Sequence, residues 1–387
     1  MEKKYTLFFV TFILFIFTLK SFAQVDISGT PYTTLKGAFD AINAGTHTGA
    51  ITVNVNANTT ETASAVLNSS GTGSASYTSV LIKPTTTGLT ISGNIAGALI
   101  NLNGADGVTI DGRVGVTSSR ELTLNNTNTA TLSAVVRLSS AGTGLGASRN
   151  TVQWCTIQGG VNTVSLSVYG IYVAGATISA TGTVADNDTL SFTDNLIKKV
   201  STGIYSRGTS TGNPNDNMVI QNNIIGADAA ADYVTLNGVD MTNSTNVTIS
   251  NNQIYNIIAD HSVQLRGLFL SAGMSNITVN ANLIYNIQNT TTTTFRGGQA
   301  IYISGTGTVN ATISNNAIWG LQGHGSGTAT NNAWGILVNA GNGYNIYYNT
   351  ISMNLNGTAT GSTDRSGCVY FVSAASTTIN MMNNNFY

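Results

Sequence analysis

The sequence predicts an all-β protein: a right-handed single-stranded parallel β-helix with three strands per coil and a short N-terminal capping helix. The first observation behind this is a recurring template of two alternating apolar residues, an Asn and a further apolar residue. It reads Val247-Thr-Ile249-Ser-Asn-Asn252-Gln-Ile254-Tyr255, Ile277-Thr-Val279-Asn-Ala-Asn282-Leu-Ile284-Tyr285 and Ala311-Thr-Ile313-Ser-Asn-Asn316-Ala-Ile318-Trp319, with looser copies around Asn195, Asn223, Asn349 and Asn384. Successive copies lie roughly 28 to 35 residues apart, a period that signals a solenoid. The second is a shorter motif between copies: Gly170-Ile-Tyr-Val173, Gly203-Ile-Tyr-Ser206, Gly238-Val-Asp-Met241, Gly267-Leu-Phe-Leu270, Ala300-Ile-Tyr-Ile303, Gly335-Ile-Leu-Val338 and Cys368-Val-Tyr-Phe371. The third is alternation, which puts Val247 and Ile249, or Ile171 and Val173, on one strand face and Thr248 or Tyr172 on the other.

Each repeat thus holds three short strands with one apolar face. Ordering a coil of about thirty residues costs about 1–2 kcal/mol per residue. Its roughly six to eight inward aliphatics return about 1.5–3 kcal/mol each, so one coil cannot fold alone. Stacking coils at about 4.8 Å pairs each strand with its equivalents above and below and closes the apolar faces into one core. Crossover-connected parallel strands wind right-handed.

The Asn column follows from the same geometry. Asn tolerates the left-handed conformation of a sharp corner, and its amide both donates and accepts, so equivalent residues can bond along the stack. Asn195, Asn223, Asn252, Asn282, Asn316, Asn349 and Asn384 are therefore expected to form an internal structural ladder. The alternative, a polar binding track, fits less well, because internally satisfied amides have nothing left for a ligand. Cys155 takes this position in Asn150-Thr-Val152-Gln-Trp-Cys155-Thr-Ile157 and marks the first coil of regular form.

From its N-terminus the chain reads as a signal peptide over residues 1–23, with Lys3 and Lys4, an apolar run from Leu7 to Leu19, and Ser21-Phe-Ala23 before Gln24. A retained anchor is the alternative, disfavoured by the short run and the lack of a lipid-attachment Cys. Residues 24–387 form the β-helix. Removing Glu2, Lys3, Lys4 and Lys20 shifts the net charge from −1 to −3, with 12 basic against 15 acidic residues. Charged residues make up 8% of the chain, far below the usual quarter, and Thr, Asn, Ser and Gly supply the surface instead. The few Arg are scattered, which argues against nucleic acid as a partner. After signal removal no segment is expected to span a membrane.

Cys155 and Cys368 lie about seven rungs apart, on the order of 30 Å, whereas a disulfide tolerates about 7 Å between Cα atoms. Two free, buried cysteines are expected. Over residues 31–45, Thr33 or Thr34 can cap a helix whose Leu35, Ala38, Phe39 and Ile42 share a face and which Gly45 ends. That helix is read as the N-terminal cap. Residues 51–130 carry less regular first coils and residues 131–387 the regular ones. The chain stops at Phe386-Tyr387 within a coil with no closing segment, so a continuation into further domains is expected.

Tyr32-Thr-Thr-Leu-Lys-Gly-Ala-Phe-Asp-Ala-Ile-Asn-Ala-Gly-Thr-His-Thr-Gly49, Asn58-Thr-Thr-Glu61 and Asn101-Leu-Asn-Gly-Ala-Asp-Gly-Val-Thr-Ile-Asp-Gly112 resemble the N-terminal region of large secreted proteins of Bacteroidota. The later coils resemble the parallel β-helix repeats shared with pectate lyases and polygalacturonases. The resemblance implies a secreted, extracellular or outer-surface location. It also implies export by the type IX system through a C-terminal sorting domain, which this sequence lacks.

Glycoside hydrolysis on such a scaffold needs paired carboxylates, and lyase chemistry usually adds calcium held by several. Asp240 is the only acid on the Gly-Ile-Tyr-Val type strands, while Asp186, Asp188, Asp194 and Asp216 fall on corners or loops of different coils. Gly323-His324-Gly325 matches a polygalacturonase tripeptide but precedes its strand and lacks the Asp pairs; His261 after Asp260 reads as a solvated turn. No catalytic residue and no metal site is therefore assigned, and no cofactor is expected, calcium entering only under the lyase alternative.

Binding has the better feature. With Ile171 and Val173 inward, Tyr172 points outward, followed in the same column by Tyr205, Asp240, Phe269, Tyr302, Leu337 and Tyr370. Exposed aromatics one strand spacing apart would form a platform for sugar rings or a surface protein, flanked by Arg266, Arg296 and Arg365. The alternative is that the rings stack on each other beneath the inter-coil loops. The expected function is an adhesive, structural or glycan-binding segment of a larger secreted or cell-surface protein, with a polysaccharide lyase or glycoside hydrolase as the alternative. An acidic cluster near the aromatic column would favour the enzyme, and an isolated Asp240 would favour binding.

Overall fold

The computed structural model describes residues 24–387 except 143, 176, 180–185, 210–211, 292–295, 323–327, 354–365 and 373–377. The segment 1–23, the tripeptide at His324 and Arg365 lie outside the described residues.

The described residues form 33 strands, of which all but the first two pair in parallel as one right-handed winding. Three sheets run along it. One coil shows the pattern: Leu265–Leu270 belongs to sheet A, Ser275–Asn280 to sheet B and Leu283–Asn289 to sheet C. Sheet A takes the Gly-Ile-Tyr-Val type motif, and sheets B and C take the two halves of the Asn template. Within sheet B the pairing brings equivalent residues together, so Ile220, Ile249, Val279, Ile313 and Ile346 form one file. All five are fully buried. The hydrophobic burial that one coil cannot supply is thereby made continuous.

The seven asparagines occupy one interior file at the corner between sheets B and C. Asn252 shows the bonding. Its Oδ1 accepts from the backbone N–H of Asn223 at 2.9 Å and from Asn223 Nδ2 at 3.0 Å. Its Nδ2 donates to Ile220 O at 2.9 Å and to Asn282 Oδ1 at 2.9 Å. Both lone pairs and both hydrogens are used, which exhausts the amide. The same links run from Asn195 through Asn223 and Asn282 to Asn316, Asn349 and Asn384. Below Asn195 the ladder closes on the Cys155 backbone N–H.

Two expectations are corrected here. The left-handed corner residue is not the ladder Asn but the one before it: Asp194, Asn222, Asn251, Ala281, Asn315, Tyr348 and Asn383 have φ between 54° and 59°. That tight reversal turns the following amide inward. Cys155 is buried, but Cys368 is only partly so; neither is paired.

The glycine that opens the sheet A motif also has a structural reason. A Cβ on Gly238 would meet Gly267 O and Ile254 Cγ2, both at 2.6 Å. The inward Ile of sheet C packs against bare backbone there.

At the N-terminus, α1 (Leu35–Asn43) buries Leu35, Ala38, Phe39 and Ile42 against the first coils. Thr34 is its N-cap, with Oγ1 accepting from Gly37 N at 3.1 Å. Two short antiparallel strands precede the helix, Val25–Ile27 and Thr30–Tyr32, and the first of them pairs with Thr48–Val55.

Candidate functional site

The site is built on the outer face of sheet A, where each strand turns two residues outward three positions apart. Rung by rung the strand pairing aligns them in two files. One carries Tyr169, Thr202, Asn237, Arg266, Gln299 and Trp334. The other carries Tyr172, Tyr205, Asp240, Phe269, Tyr302, Leu337 and Tyr370.

The expectation of an exposed aromatic platform is corrected at its lower end. Tyr172 and Tyr205 are buried, as is Leu337. The Tyr172 and Tyr205 rings stack at 5.1 Å and 7°, and Tyr169 fills in beside them at 4.8 and 5.2 Å. The segment after Val168–Ala174 folds across: Tyr172 Oη lies 3.2 Å from both Thr177 O and Ser179 O and accepts from Ser179 N at 3.0 Å. Ile178 packs on the same cluster. The rings cover each other, and the loop covers the rings.

Higher in the file Phe269, Tyr302 and Tyr370 are partly buried. Phe269 and Tyr302 meet edge to face at 5.1 Å, and Tyr370 stacks on Trp334 at 4.5 Å. Arg266, expected only to flank this column, lies over it: its guanidinium carbon is 4.1 Å from the Phe269 centroid and 4.9 Å from that of Tyr302. Such placement stabilises a cation that has lost water. Gln299 fixes it, with Oε1 accepting from Arg266 Nε at 3.0 Å while Nε2 donates to Thr330 O at 2.7 Å. Arg296 donates instead to Ser262 O at 2.9 Å, on the neighbouring loop.

Asp240 interrupts the aromatic file between Tyr205 and Phe269. Asn237 Nδ2 donates to its Oδ2 at 2.9 Å. Arg266 makes no ion pair with it among the described residues. Asn237 Oδ1 and Thr235 Oγ1 are buried and have no hydrogen-bond partner among the described residues. Burial pushes the Asp240 carboxyl up to about 6, against the pull of Arg266, Asn237 and Arg207. Burial likewise lowers Arg266 to about 10, and raises Tyr205 to about 12 and Tyr169 further. The result is a polar shelf between two aromatic groups, where Asn237 bonds Asp240 and Arg266 lies one rung from Asn237.

The remaining acids do not join it. Asp188 is raised to about 6 by burial and by Asp216 and Asp186, but it accepts from Asp216 N at 2.9 Å at the corner between sheets A and B. Asp194 sits at the corner between sheets B and C. No group of three or more His, Cys, Asp or Glu suited to a metal ion occurs among the described residues. His261 Nδ1 accepts from Val263 N at 3.2 Å within its own turn.

Sequence reasoning missed Asn237 and Gln299, whose polar side chains follow no repeat. It also passed over a second aromatic file on sheet C, Tyr255, Tyr285 and Trp319, although an aromatic closes three consecutive copies of the template.

No family model and no curated protein matches the sequence. Among solved structures, the chain is similar to a mannuronan C-5 epimerase A-module of Azotobacter vinelandii (14% identity, 88% of this chain and 94% of that one, TM-score 0.38). It is similar to an alginate lyase from Paenibacillus sp. (13%, 92% and 98%, 0.37) and to the Streptococcus pneumoniae surface protein and adhesin PfbA (12%, 89% and 94%, 0.31). These are likenesses of fold alone. No helix among the described residues is long and apolar enough to cross a membrane.

Proposed function

We propose that this chain is a non-catalytic, glycan-binding segment of a larger secreted or cell-surface protein, with the shelf at Asp240 as its binding site. The observation that carries this reading is the isolation of Asp240, the one carboxylate on the strands of sheet A among the described residues. Hydrolysis needs a second carboxylate, and a calcium-assisted elimination needs several. One carboxylate and an aromatic-backed guanidinium suit the hydroxyls of a sugar, which donate to Asp240 and accept from Arg266. An adhesive role on the outer surface, export through a type IX route and a surface protein as alternative partner belong to the same reading.

A polysaccharide lyase or glycoside hydrolase is the second reading, favoured by one observation: the raised Asp240 carboxyl neighbours Tyr205 in the file. The test applies the full chain to a panel of immobilised neutral and acidic polysaccharides with and without calcium. Retention on at least one, lost in Tyr302→Ala and Arg266→Ala, supports binding. Release of unsaturated or reducing-end products overturns it in favour of the enzyme.

A further inference from the structure

On sheet C, one file of outward residues runs Gly226, Tyr255, Tyr285, Trp319, Ser352, Tyr387, one residue per rung. The last two positions follow from the continuing ladder, in which Ser352 N donates to Ile318 O at 2.8 Å and Tyr387 N to Ile351 O at 3.0 Å. Tyr255 and Tyr285 stack at 5.1 Å and 20°, and Tyr285 and Trp319 at 4.4 Å and 3°. Rings stacked face to face offer only their edges to solvent. Tyr285, stacked on both sides, therefore has no face to give a ligand, and Tyr255 is buried.

The exception is the upper face of Trp319. The next rung places Ser352 there, and the rung after it Tyr387. Trp319 is 38% exposed and Tyr387 71% exposed. Two rungs span about 9.6 Å, close to twice the ring separations found lower in the same file. Among the described residues, the serine rung thus leaves a space one ring thick between two aromatic side chains. Both neighbours lean alike: Tyr285 Oη accepts from Gln253 Nε2 at 2.6 Å, and Tyr387 Oη accepts from Asn385 Nδ2 at 2.5 Å, each toward the adjacent outward file. The floor is the Ser352 hydroxyl. Neither it nor Trp319 Nε1 has a hydrogen-bond partner among the described residues.

We propose that this space is a binding site for one pyranose ring, separate from the shelf on sheet A. A pyranose presents apolar C–H faces above and below and hydroxyls around its rim. The faces match Trp319 and Tyr387, while the rim meets a serine hydroxyl and an indole N–H able to pair with it. A purely aromatic guest would leave both polar groups unpaired, which favours the sugar over an aromatic side chain of a partner protein.

The experiment uses the full chain carrying Trp154→Phe and Trp334→Phe, so that Trp319 is the sole indole emitter. Methyl glycosides of glucose, galactose and mannose are titrated separately, with N-acetyltyrosine amide as the aromatic control. The expected result is a saturable change in Trp319 emission with at least one glycoside, abolished by Ser352→Tyr, which fills the space with the chain's own ring. Ser352→Tyr is expected to keep or raise the melting temperature, and Trp319→Ala, read by glycoside saturation-transfer NMR, supplies a second loss-of-binding variant. No response to any glycoside, a response only to the tyrosine amide, or a response that survives Ser352→Tyr overturns the proposal. Polysaccharide retention can fail while the Trp319 signal persists, so the two sites are read separately.

Discussion

Asp240 shows how one residue couples stability to the candidate function. Its folded carboxyl lies near 6, above the ordinary value of 3.8. Between those two values the folded chain holds more protons than the unfolded one, so stability falls as pH rises through the interval and stays low above it. Asp240→Asn removes this contribution. The variant is expected to lose part of the melting-temperature decline between about pH 4 and 6 and to melt higher than the parent at pH 7. A parallel slope in parent and variant rejects the assignment. Binding has the opposite sign, because only the ionised carboxyl accepts two sugar hydroxyls. Retention on a polysaccharide should weaken as pH drops below about 6, and Asp240→Asn should remove that dependence along with most of the affinity. The ladder asparagines behave differently, since their amides bond only each other and the neighbouring backbone. Asn252→Ala strips partners from Asn223, Asn282 and Ile220 O at once. At roughly 1–3 kcal/mol for each buried group left unpaired, the expected result is a clearly lower urea midpoint.

The element that closes the N-terminal end rests on a residue far from it in sequence. Helix α1 has no acidic side chain in its first turn, yet its first N–H groups are satisfied: Glu61 accepts from Leu35 N and from Lys36 N, both at 2.9 Å. Thr59 Oγ1 donates to the same carboxylate at 3.0 Å, and Glu61 is 2% exposed. A negative charge at this end also complements the helix dipole. Glu61→Ala is expected to destabilise the chain by about 2–4 kcal/mol. Glu61→Gln, which keeps one acceptor oxygen, should cost less, as differential scanning calorimetry would rank them. The helix itself was legible in the sequence, because Leu35, Ala38, Phe39 and Ile42 repeat at helical spacing behind Thr34. Glu61 was not, because its strand, Thr59–Glu61, is only three residues long and carries no apolar alternation. The corner residues were misread for a related reason. Asp194, Asn222, Asn251, Asn315 and Asn383 are types a left-handed backbone favours, but Ala281 and Tyr348 break that pattern, whereas the Asn after each stands out because it packs.

At the scale of the whole molecule, what the sequence made legible is what the stacking repeats. The three sheets, their register and the interior asparagine file follow from apolar alternation at a fixed period. The cover over Tyr172 does not, because the segment carrying Ile178 and Ser179 occurs once and answers to no period. The same division governs how the fold should come apart. Every rung bonds to the rung above and the rung below, and the core runs through without a break, so energetic coupling is expected to decay over a few coils. Ile249 touches its file through Ile220 below and Val279 above. Ile249→Ala should cost about 2–5 kcal/mol as a cavity in a close-packed core. Hydrogen exchange should then show protection lost mainly in Val219–Gln221, Ser244–Ser250 and Ser275–Asn280. Helix α1 and the strand Thr48–Val55 should exchange as in the parent. Equal loss of protection in every rung would mean that the winding opens as a single unit, and nearest-neighbour stacking would then be the wrong description of what holds it together.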